Sequence, residues 1–582
     1  MELTARDKAL TLTGIMLALF LGALDQTIVS TALPKIVEDL GGLQRYAWVA
    51  TIYLLSSTIM VPVYGKLADV FAKRSIVLVA VGLFLMGSFL CGIAGELALL
   101  NAVTDGMNQL IMFRAVQGLG AAGLFSLAFI VIADLFPPAE RGKYQGIIGG
   151  VWGIASVLGP LIGGFFTDFG GDIIPGVEGW RWVFYVNLPV GVVALWFLIQ
   201  RMPALEPKEK GSVDIGGALL MFLAFVPLIL ALQLDKVRYP WGSSLIVGLL
   251  VLALVGLGSF IWRALTSANP LLDLSLFRDA IFRNANLALF FLGGGFIALL
   301  IFLPLYMVNV VGVSATRAGI SLIPLSMGIV FGATVAGQLV SRIGRYKGLM
   351  IFGVCVISAG IFLLSRMDLT TSYNSITFYM VICGLGMGPS FPLYTLAIQN
   401  NVPRNKIGQA TSAGQFFRQM GGVIAGAILG AVLASGLGAG LANSGAATVS
   451  GEGAAEFAGL DEVEEQVRGA FEDQYGLIAR AFQGEEDAYH RVVNSDAIAP
   501  EYKVAVMGAE GMGEDVQTAT LVQIAQELNE RASEVAQSSI LTIKTSFADA
   551  ITRIYGIVFV IMLLGLGFTL LIPDKTLAKT MS

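Results

Sequence analysis

The most regular feature of the sequence is the recurrence of apolar runs of about twenty residues along most of its length. About twenty predominantly apolar residues are needed for a helix to cross the ~30 Å hydrocarbon core of a bilayer. Fourteen runs are long enough, near residues 10–31, 46–65, 75–95, 106–130, 144–166, 180–200, 213–234, 243–263, 285–310, 317–340, 348–366, 375–397, 407–437 and 548–572. The pattern predicts an all-α polytopic membrane protein with fourteen transmembrane helices.

The composition also indicates that most of the chain is surrounded by lipid. Of 582 residues, 56% are hydrophobic and 13% are charged, against about 25% charged in an ordinary soluble domain. A water-soluble globule is therefore excluded. The net charge of −5 offers no general basic surface, so no nucleic-acid partner is expected. No small-residue cleavage site follows the first apolar run, which is predicted to be a retained helix and not a signal peptide.

The sequence gives little support for catalysis or metal binding. Cys91, Cys355 and Cys383 each stand alone in an apolar run, so we interpret them as small core residues. The one histidine, His490, lies in a polar stretch and is interpreted as a solvated surface residue. Neither a P-loop nor an HExxH or CxxC pattern occurs. The chain is not expected to be an enzyme, and no cofactor is expected apart from protons as a coupling ion.

Lysine and arginine predict the orientation in the membrane. They concentrate in the loops of one face, at Arg6, Lys8, Lys66, Lys73, Arg74, Arg141, Lys143, Arg201, Lys208, Lys210, Arg263, Arg278, Arg283, Arg342, Arg345, Lys347, Arg404, Lys406 and Lys575. By the positive-inside rule this face is cytoplasmic, and an even number of helices places both termini there. We expect a multi-pass protein of the bacterial inner (cytoplasmic) membrane.

One connection differs from the others, since residues 438–547 form a polar stretch between the last two apolar runs. It contains 19 acidic and 6 basic residues, a charge of about −13, and lies outside by parity. A Gly/Ala/Ser-rich stretch begins it and predicts a flexible linker. Residues 461–482 and 519–534 then show apolar positions at helical spacing. The pattern predicts an acidic extracytoplasmic insert that contains an amphipathic helical hairpin.

The two halves of the chain carry a similar segment. Residues 65–74 read GKLADVFAKR and residues 337–347 read GQLVSRIGRYK, each at the same end of an apolar helix. The repeat indicates two related six-helix bundles with two inserted helices. The predicted divisions are an N-terminal bundle (1–200), two inserted helices with linkers (201–284), helices 9 to 13 of the C-terminal bundle (285–437), the acidic insert (438–547), and the last helix with its tail (548–582).

Five short motifs occur along the first 191 residues. One, in the loop after the second apolar run, contains Gly65, Asp69, Lys73 and Arg74, and one in the fourth run contains Arg114, Gln117 and Gly118. A third, in the fifth run, contains Gly149, Gly153, Gly159, Pro160, Gly163 and Gly164, and the last two are the segments LDQTIVSTALP (24–34) and WRWVFYVNLPVG (180–191). Together they resemble the loop 2–3, helix 4 and helix 5 antiporter motifs and the branch signatures of the major facilitator superfamily, in its fourteen-helix drug:proton antiporter branch.

The resemblance implies a proton-coupled exporter of lipophilic, cationic drugs or dyes that works by alternating access. An exporter of envelope lipids or other amphiphiles is the first alternative, and a sensor or scaffold built on a transporter body is a remote one. The expected partners are a small amphiphilic substrate and the lipid bilayer. A monomer is the simplest case, with the oligomeric state and the need for an envelope partner protein left open.

Two charges are placed inside the hydrocarbon by the helix pattern. Asp25 lies roughly 9 Å below the outer end of helix 1, and Arg114 lies roughly 12 Å below the outer start of helix 4. Ionisable groups at this depth normally face a partner or a cavity. We predict that Asp25 is the proton-coupling carboxylate with Arg114 as its partner. The alternative is a permanent pair that ties two helices together.

Charges on two neighbouring cytoplasmic loops predict a gate. The resemblance implies that Asp69 caps a facing helix of the C-terminal half and that Asp134 pairs with Lys73 and Arg74, with Arg141 nearby. Charge that serves topology alone is the alternative. For the helix 5 motif, close helix packing and an antiporter-specific seal are the two interpretations, and the resemblance favours the seal.

Arg418 lies about eleven residues into the thirteenth apolar run, and no acidic residue of the C-terminal membrane helices offers it a partner. It is expected to face the cavity, an N-half carboxylate or an anionic substrate group. Further cavity candidates, each with lipid-facing or packing surface as the alternative, are Tyr53, Trp152, Tyr306, Gln338, Tyr394, Gln415 and Phe416.

Overall fold

The computed structural model describes residues 4–42, 45–97, 101, 104–174, 176–206, 212–234, 236, 238–443, 460–495 and 498–577. These residues are almost wholly helical. The main helices are Ala5–Leu40 (α1), Tyr46–Val70 (α2), Lys73–Gly92 (α3), Gly106–Leu135 (α4), Pro138–Phe169 (α5), Asn187–Arg201 (α6), Ile215–Gln233 (α7), Ser244–Thr266 (α8), Ala280–Tyr306 (α9), Ile323–Ile343 (α10), Lys347–Leu364 (α11), Tyr373–Asn401 (α12), Ile407–Asn443 (α13), Leu460–Phe482 (α14), Glu486–Asn494 (α15), Pro500–Gly508 (α16) and Glu514–Leu570 (α17).

Fourteen helices of the described chain, α1 to α13 and α17, are long and apolar enough to cross a bilayer, with α6 extended by the short helical turns before it. This confirms the predicted number. Several helices are longer than their apolar runs, because their polar ends extend past the hydrocarbon. α1, for example, begins at a cap in which Thr4 Oγ1 accepts the Asp7 N–H, and it continues to Leu40.

The membrane helices form two bundles that meet mainly at two helix pairs. In the first bundle α4 is central and packs on α1, α2 and α3, while α1 also packs on α5 and α6. In the second, α9 packs on α13 and α17, and α12 packs on α10 and α11. The bundles meet where α2 packs on α13 and where α5 packs on α10.

The inserted helices α7 and α8 lie beside the contact between α2 and α13. They pack closely on each other, because Gly256 lets α8 approach the α7 backbone at Leu223. Arg263 and Asp214 join their ends by an ion pair of 2.7 Å. α7 also contacts both α2 and α13, so the pair flanks the junction between the two bundles.

The polar stretch between α13 and α17 folds into a small helical unit. α14, α15, α16 and the first part of α17 share an apolar cluster that includes Ile478, Val492, Tyr502 and Leu528. The two segments predicted as a hairpin pack on each other as expected. The predicted linker lies mostly outside the described residues. His490 is exposed.

The expected division at residues 547 and 548 falls inside a continuous helix. α17 has 57 residues and is therefore about 85 Å long, well over the thickness of a bilayer. The segment 519–534 is part of this helix and not a separate one. The cysteine prediction also needs one correction: Cys91 and Cys383 are buried, but Cys355 is exposed because it lies on the outward face of α11.

Candidate functional site

The main cavity of the described chain has a volume of about 1170 Å³ and lies between the two bundles. Its walls come from α1, α2, α4 and α5 on one side and from α9, α10, α12 and α13 on the other, and the end of α7 also contributes. The lining runs from Gln145, near the start of α5, to Asp168, next to its end. Asp168 and Ala434 are exposed at the far end, so the cavity opens at the end opposite the start of α1.

The closed end of the cavity is sealed first by a contact between α2 and α13. The two carboxylate oxygens of Asp69 accept the backbone N–H groups of Gly408 and Gln409, at 2.7 and 2.8 Å. These N–H groups belong to the first turn of α13, where the helix dipole favours a negative charge. A Cβ at Gly65 would overlap the Ser412 hydroxyl, so this approach requires glycine. Asp69 thus caps a helix of the other bundle, as the resemblance implied.

The second contact that seals this end joins α5 to α10. Gly337 packs against the Gly142 carbonyl, and Gly146 packs against the backbone of α10 at Ala333. A side chain at any of these glycines would force the helices apart. Gly142 and Gly146 were missed by the sequence analysis because they precede the helix 5 motif.

The residues of the helix 5 motif serve two interfaces. Gly149 and Gly153 face Ala333 and Val330 of α10, whereas Gly159 and Gly163 approach Thr27 and Thr31 of α1. Pro160 and Gly164 line the cavity. The motif therefore contacts the second bundle along its first half and the first bundle along its second half.

Buried amide and hydroxyl groups add hydrogen bonds across the closed end. Gln145 donates to Gln399 at 2.9 Å, and Gln399 donates to Thr411 at 3.0 Å. Thr58 of α2 donates to Gln419 of α13 at 2.7 Å. The sequence signal that could have found the three glutamines is an amide inside an apolar run.

Asp25 and Arg114 meet in the interior of the first bundle. Arg114 Nη1 donates to Asp25 Oδ2 at 2.6 Å, and Gln117 Nε2 donates to Asp25 Oδ1 at 2.8 Å. Arg114 also donates to the Val49 carbonyl and stacks on the Tyr53 ring at 4.1 Å. The exposed fractions of Asp25 and Arg114 are 0% and 2%. Neither lines the cavity, although Gln26 and Thr27, next in α1, do. In this conformation the pair is closed off from the cavity.

The other gate charges stay within the first bundle, which corrects the expectation of several links between the halves. Lys73 pairs with Asp134 at 3.2 Å. Arg74 donates to the Ile199 carbonyl, and Arg141 donates to the carbonyls of Ala133 and Phe136 at the end of α4. Among the predicted gate charges, Asp69 is the one whose hydrogen bonds in the described chain join the two bundles.

Three of the eight cavity candidates, Trp152, Gln415 and Arg418, line the cavity. The other five do not, because an apolar run gives the depth of a residue but not the face of the helix on which it lies. Tyr53 covers Arg114, and Gln338 is exposed on the outer face of α10. The remaining three are buried in packing contacts: Tyr306 donates to the Asp368 carbonyl, Tyr394 bonds Thr569, and Phe416 packs on Phe225.

A further ion pair supports the first turn of α13. Asp273 accepts from Lys406 Nζ at 2.5 Å, and its backbone N–H donates to Gln409. Burial acts to raise the pKa of Asp273, but the bonds from Lys406 and Ser275 outweigh it and hold that pKa below its ordinary value. Asp273 is therefore a fixed negative charge beside the Asp69 cap.

The fold and the cavity together define the class of protein. Two bundles of membrane helices enclose a cavity that is open at one end and sealed at the other, and the described residues contain no cluster of three or more metal-binding side chains. This is the architecture of a membrane transporter.

Comparison with known proteins identifies the family. The sequence model described as Major Facilitator Superfamily matches residues 15–426. The Multidrug transporter protein MdtP of Bacillus subtilis is 40% identical over 423 residues, which cover 73% of this chain and 75% of MdtP. Multidrug resistance protein 3 of the same organism is 36% identical, over 72% of this chain and 78% of its own length. The chain belongs to the Major Facilitator Superfamily.

Solved structures agree on the fold. The proton:xylose symporter XylE superposes with a TM-score of 0.52 at 14% identity, covering 72% of this chain and 88% of XylE. A bacterial homologue of the human lysosomal transporter Spinster gives a TM-score of 0.50 at 14% identity, covering 97% of each chain. At these identities the likeness concerns the fold alone.

Proposed function

We propose that this protein is a proton-coupled exporter of lipophilic compounds that works by alternating access. The observation that carries the proposal is the cavity between the bundles, open at one end above a seal of inter-bundle contacts. The names of the two Bacillus relatives, a multidrug transporter and a multidrug resistance protein, support drugs as the cargo.

Alternating access follows from where the contacts lie. The Asp69 cap, the glycine contacts of α5 with α10 and the Gln145–Gln399 bond all join the bundles at the closed end. Breaking them would let the bundles rock and close the opposite end. By the positive-inside rule the closed end is cytoplasmic, so we assign this conformation to the outward-facing state of a protein in a bacterial inner membrane with both termini inside.

Proton coupling is assigned to Asp25. An unpaired charge inside the hydrocarbon costs about 2.5–3.5 kcal/mol on insertion scales, and the bonds from Arg114 and Gln117 give Asp25 the partners that offset this cost. Protonation removes the attraction to Arg114. Because Gln26 and Thr27 already line the cavity, a small rotation of α1 would bring Asp25 to its wall and allow proton exchange there.

The second candidate, an exporter of lipids or other amphiphiles, is favoured by the charges in the cavity. The acidic side chain of its described lining is Asp168, at the mouth, whereas Arg418 lies deep inside. The lining therefore does not favour the cationic substrates that the resemblance implied.

An accumulation panel in a host that lacks its own efflux pumps tests the proposal. Cells that make the protein should accumulate less of the lipophilic probes than control cells, and a protonophore should abolish the difference. Asp25→Asn should remove the difference at equal expression, since the amide mimics the protonated state alone. Equal accumulation of every dye and lipid with and without the protein would contradict the proposal and favour a sensor or scaffold.

A further inference from the structure

Arg418 is the charged side chain that lies deep in the described part of the cavity wall. It is the twelfth residue of α13, roughly 17 Å along the helix and so near the middle of the bilayer. The other charged side chains of the described lining lie at the open mouth: Asp168 is in the last turn of α5, and Lys236 follows the end of α7. Arg418 is half-buried because it faces the cavity space.

The hydrogen bonds of Arg418 leave most of its donors available. Within the described chain, Nε and Nη2 both donate to Gln415 Oε1, at 3.2 and 2.9 Å. The guanidinium also lies over the Phe391 ring, 4.8 Å from its centroid. An arginine carries five N–H donors, so two bonds to one neutral acceptor leave three donors without a protein partner there.

No acidic side chain among the described residues pairs with Arg418. Asp25 is bonded to Arg114 and Gln117 and does not line the cavity. Asp168 is the thirty-first residue of α5, which places it roughly 28 Å further along its helix than Arg418 lies along α13. Arginine stays protonated in proteins, and an unpaired charge at this depth is unfavourable. The missing counter-charge is therefore one that a ligand would bring.

The wall beside Arg418 suits an apolar ligand body. Aromatic rings follow one another across both bundles, with centroid distances of 5.9 Å from Phe125 to Trp152, 6.3 Å from Trp152 to Phe296 and 5.6 Å from Phe296 to Phe391. The last ring is the one that Arg418 covers. A cation thus sits at the end of a continuous aromatic surface.

We propose that the cavity binds lipophilic anions, in which a sulfonate, carboxylate or phosphate group pairs with Arg418 and an apolar body lies on the rings from Phe391 to Trp152. Arginine pairs with such groups through two parallel N–H bonds, and its free donors allow this geometry. This inference deepens the proposed function, on which it rests, by naming the charge of the cargo.

Three probes with one apolar body and different charges test the inference. They are pyrenylbutanesulfonate, pyrenylbutyl-trimethylammonium and pyrenylbutanol, and they are added to purified protein in phosphatidylcholine nanodiscs. Energy transfer from tryptophan to pyrene reports binding. The energy-transfer signal that disappears in the Trp152→Phe protein comes from probe bound in the cavity. The wild type should bind the sulfonate about tenfold more tightly than the cation.

Substitution of Arg418 separates a ligand contact from a structural role. Arg418→Gln should weaken sulfonate binding about tenfold and leave the alcohol within about twofold, whereas Arg418→Lys should recover part of the loss. Arg317→Gln removes an exposed cation outside the described lining and should change nothing. Equal weakening of all three probes, or tighter binding of the cation by the wild type, would overturn the inference.

Two further arms complete the experiment. Replacing part of the phosphatidylcholine by phosphatidic acid should displace the sulfonate from the wild type if a lipid headgroup is the natural anion, and should leave its binding unchanged if the cargo is a free organic acid. Transport is measured separately in proteoliposomes. If Arg418-dependent binding occurs but no probe moves with a proton gradient, the proposed function fails while the anion site stands.

Discussion

Asp69→Asn should shift the protein from the outward-facing state towards the inward-facing state. In the structure both carboxylate oxygens of Asp69 accept N–H groups of the first turn of α13, at 2.7 and 2.8 Å. An asparagine keeps one acceptor oxygen. Its amide group faces the second N–H as a donor, so one hydrogen bond and the charge at the helix N-terminus are both lost.

The size of the shift follows from these two losses. A hydrogen bond to a charged group contributes about 1.5–3 kcal/mol, and an N-terminal cap contributes about 0.5–2 kcal/mol. Because Asp69 is partly exposed, a value near the lower end, about 2 kcal/mol, is appropriate. That energy changes the equilibrium between the two states about thirtyfold. A protein with equal populations would become almost wholly inward-facing.

Spin labels at the closed end measure the shift directly. Lys143 and Arg342 are exposed on α5 and α10, which are in contact at this end, and Cys355 is replaced by serine because it is exposed. Double electron–electron resonance between labels at the first two positions should show a short distance in the parent protein. In the Asp69→Asn protein a longer distance should dominate.

A matched control is Asp7→Asn. Asp7 pairs with Arg201 at 3.7 Å inside the first bundle, so its loss should leave the distance distribution unchanged. An unchanged distribution in Asp69→Asn, together with normal transport, would refute the assignment of Asp69 to the gate and leave its charge a role in topology alone.

Four further results are expected. Gln399→Leu removes the bond from Gln145 and the bond to the Phe129 carbonyl, which both join the bundles. It should increase the long-distance population in the same assay by roughly tenfold, for a loss of about 1.5 kcal/mol; no increase would exclude Gln399 from the seal. Gly337→Val should hold the closed end open and abolish transport while the protein still folds, as size-exclusion chromatography would show, because its Cβ would overlap the Gly142 carbonyl. Asp273→Asn should lower the melting temperature at pH 7. Because the pKa of Asp273 is depressed in the folded protein, its contribution to stability should disappear as the pH falls through that pKa. Equal melting temperatures of the two proteins at pH 7 would contradict this. Replacing residues 445–540 by a short Gly/Ser bridge should preserve membrane insertion and efflux, since no described residue of that segment lines the cavity; loss of efflux with normal insertion would give the insert a role in transport.

The number and order of the membrane helices could be predicted because hydropathy directly reports burial in lipid. The Asp25–Arg114 contact could be predicted because both residues are charged and lie at similar depths in neighbouring helices. Depth along a helix is well determined by sequence at 1.5 Å per residue. The face of the helix is not, which is why Tyr394 and Tyr306 were assigned to a cavity that they do not line.

The long helix α17 shows a second limit of the hydropathy pattern. The change from polar to apolar composition near residue 548 suggested a boundary between a loop unit and a membrane helix. Helix formation depends instead on backbone propensity, and residues 514–555 contain neither glycine nor proline. The helix therefore continues from the polar insert into the bilayer without interruption.

The sequence also could not predict the contacts that Gly142 and Gly146 make with the second bundle. A glycine in an apolar helix permits close packing, but its partner is decided by how the two bundles are placed. Arg418 was the exception, because no acidic residue of the C-terminal membrane helices offers it a partner, which already pointed to the cavity, an N-half carboxylate or an anionic ligand.

The central claim, exchange of protons for cargo through Asp25, is tested most directly by counting protons during downhill export. Proteoliposomes are loaded with the permanently charged pyrene sulfonate or pyrene trimethylammonium, which do not cross lipid unaided, and a dye reports the luminal pH in the absence of any imposed pH gradient. As the probe leaves, the lumen should acidify in the wild type, because protons enter in exchange. Asp25→Asn should show no acidification. Probe exit from wild-type vesicles without a change in luminal pH, or an unchanged response in Asp25→Asn, would contradict the account.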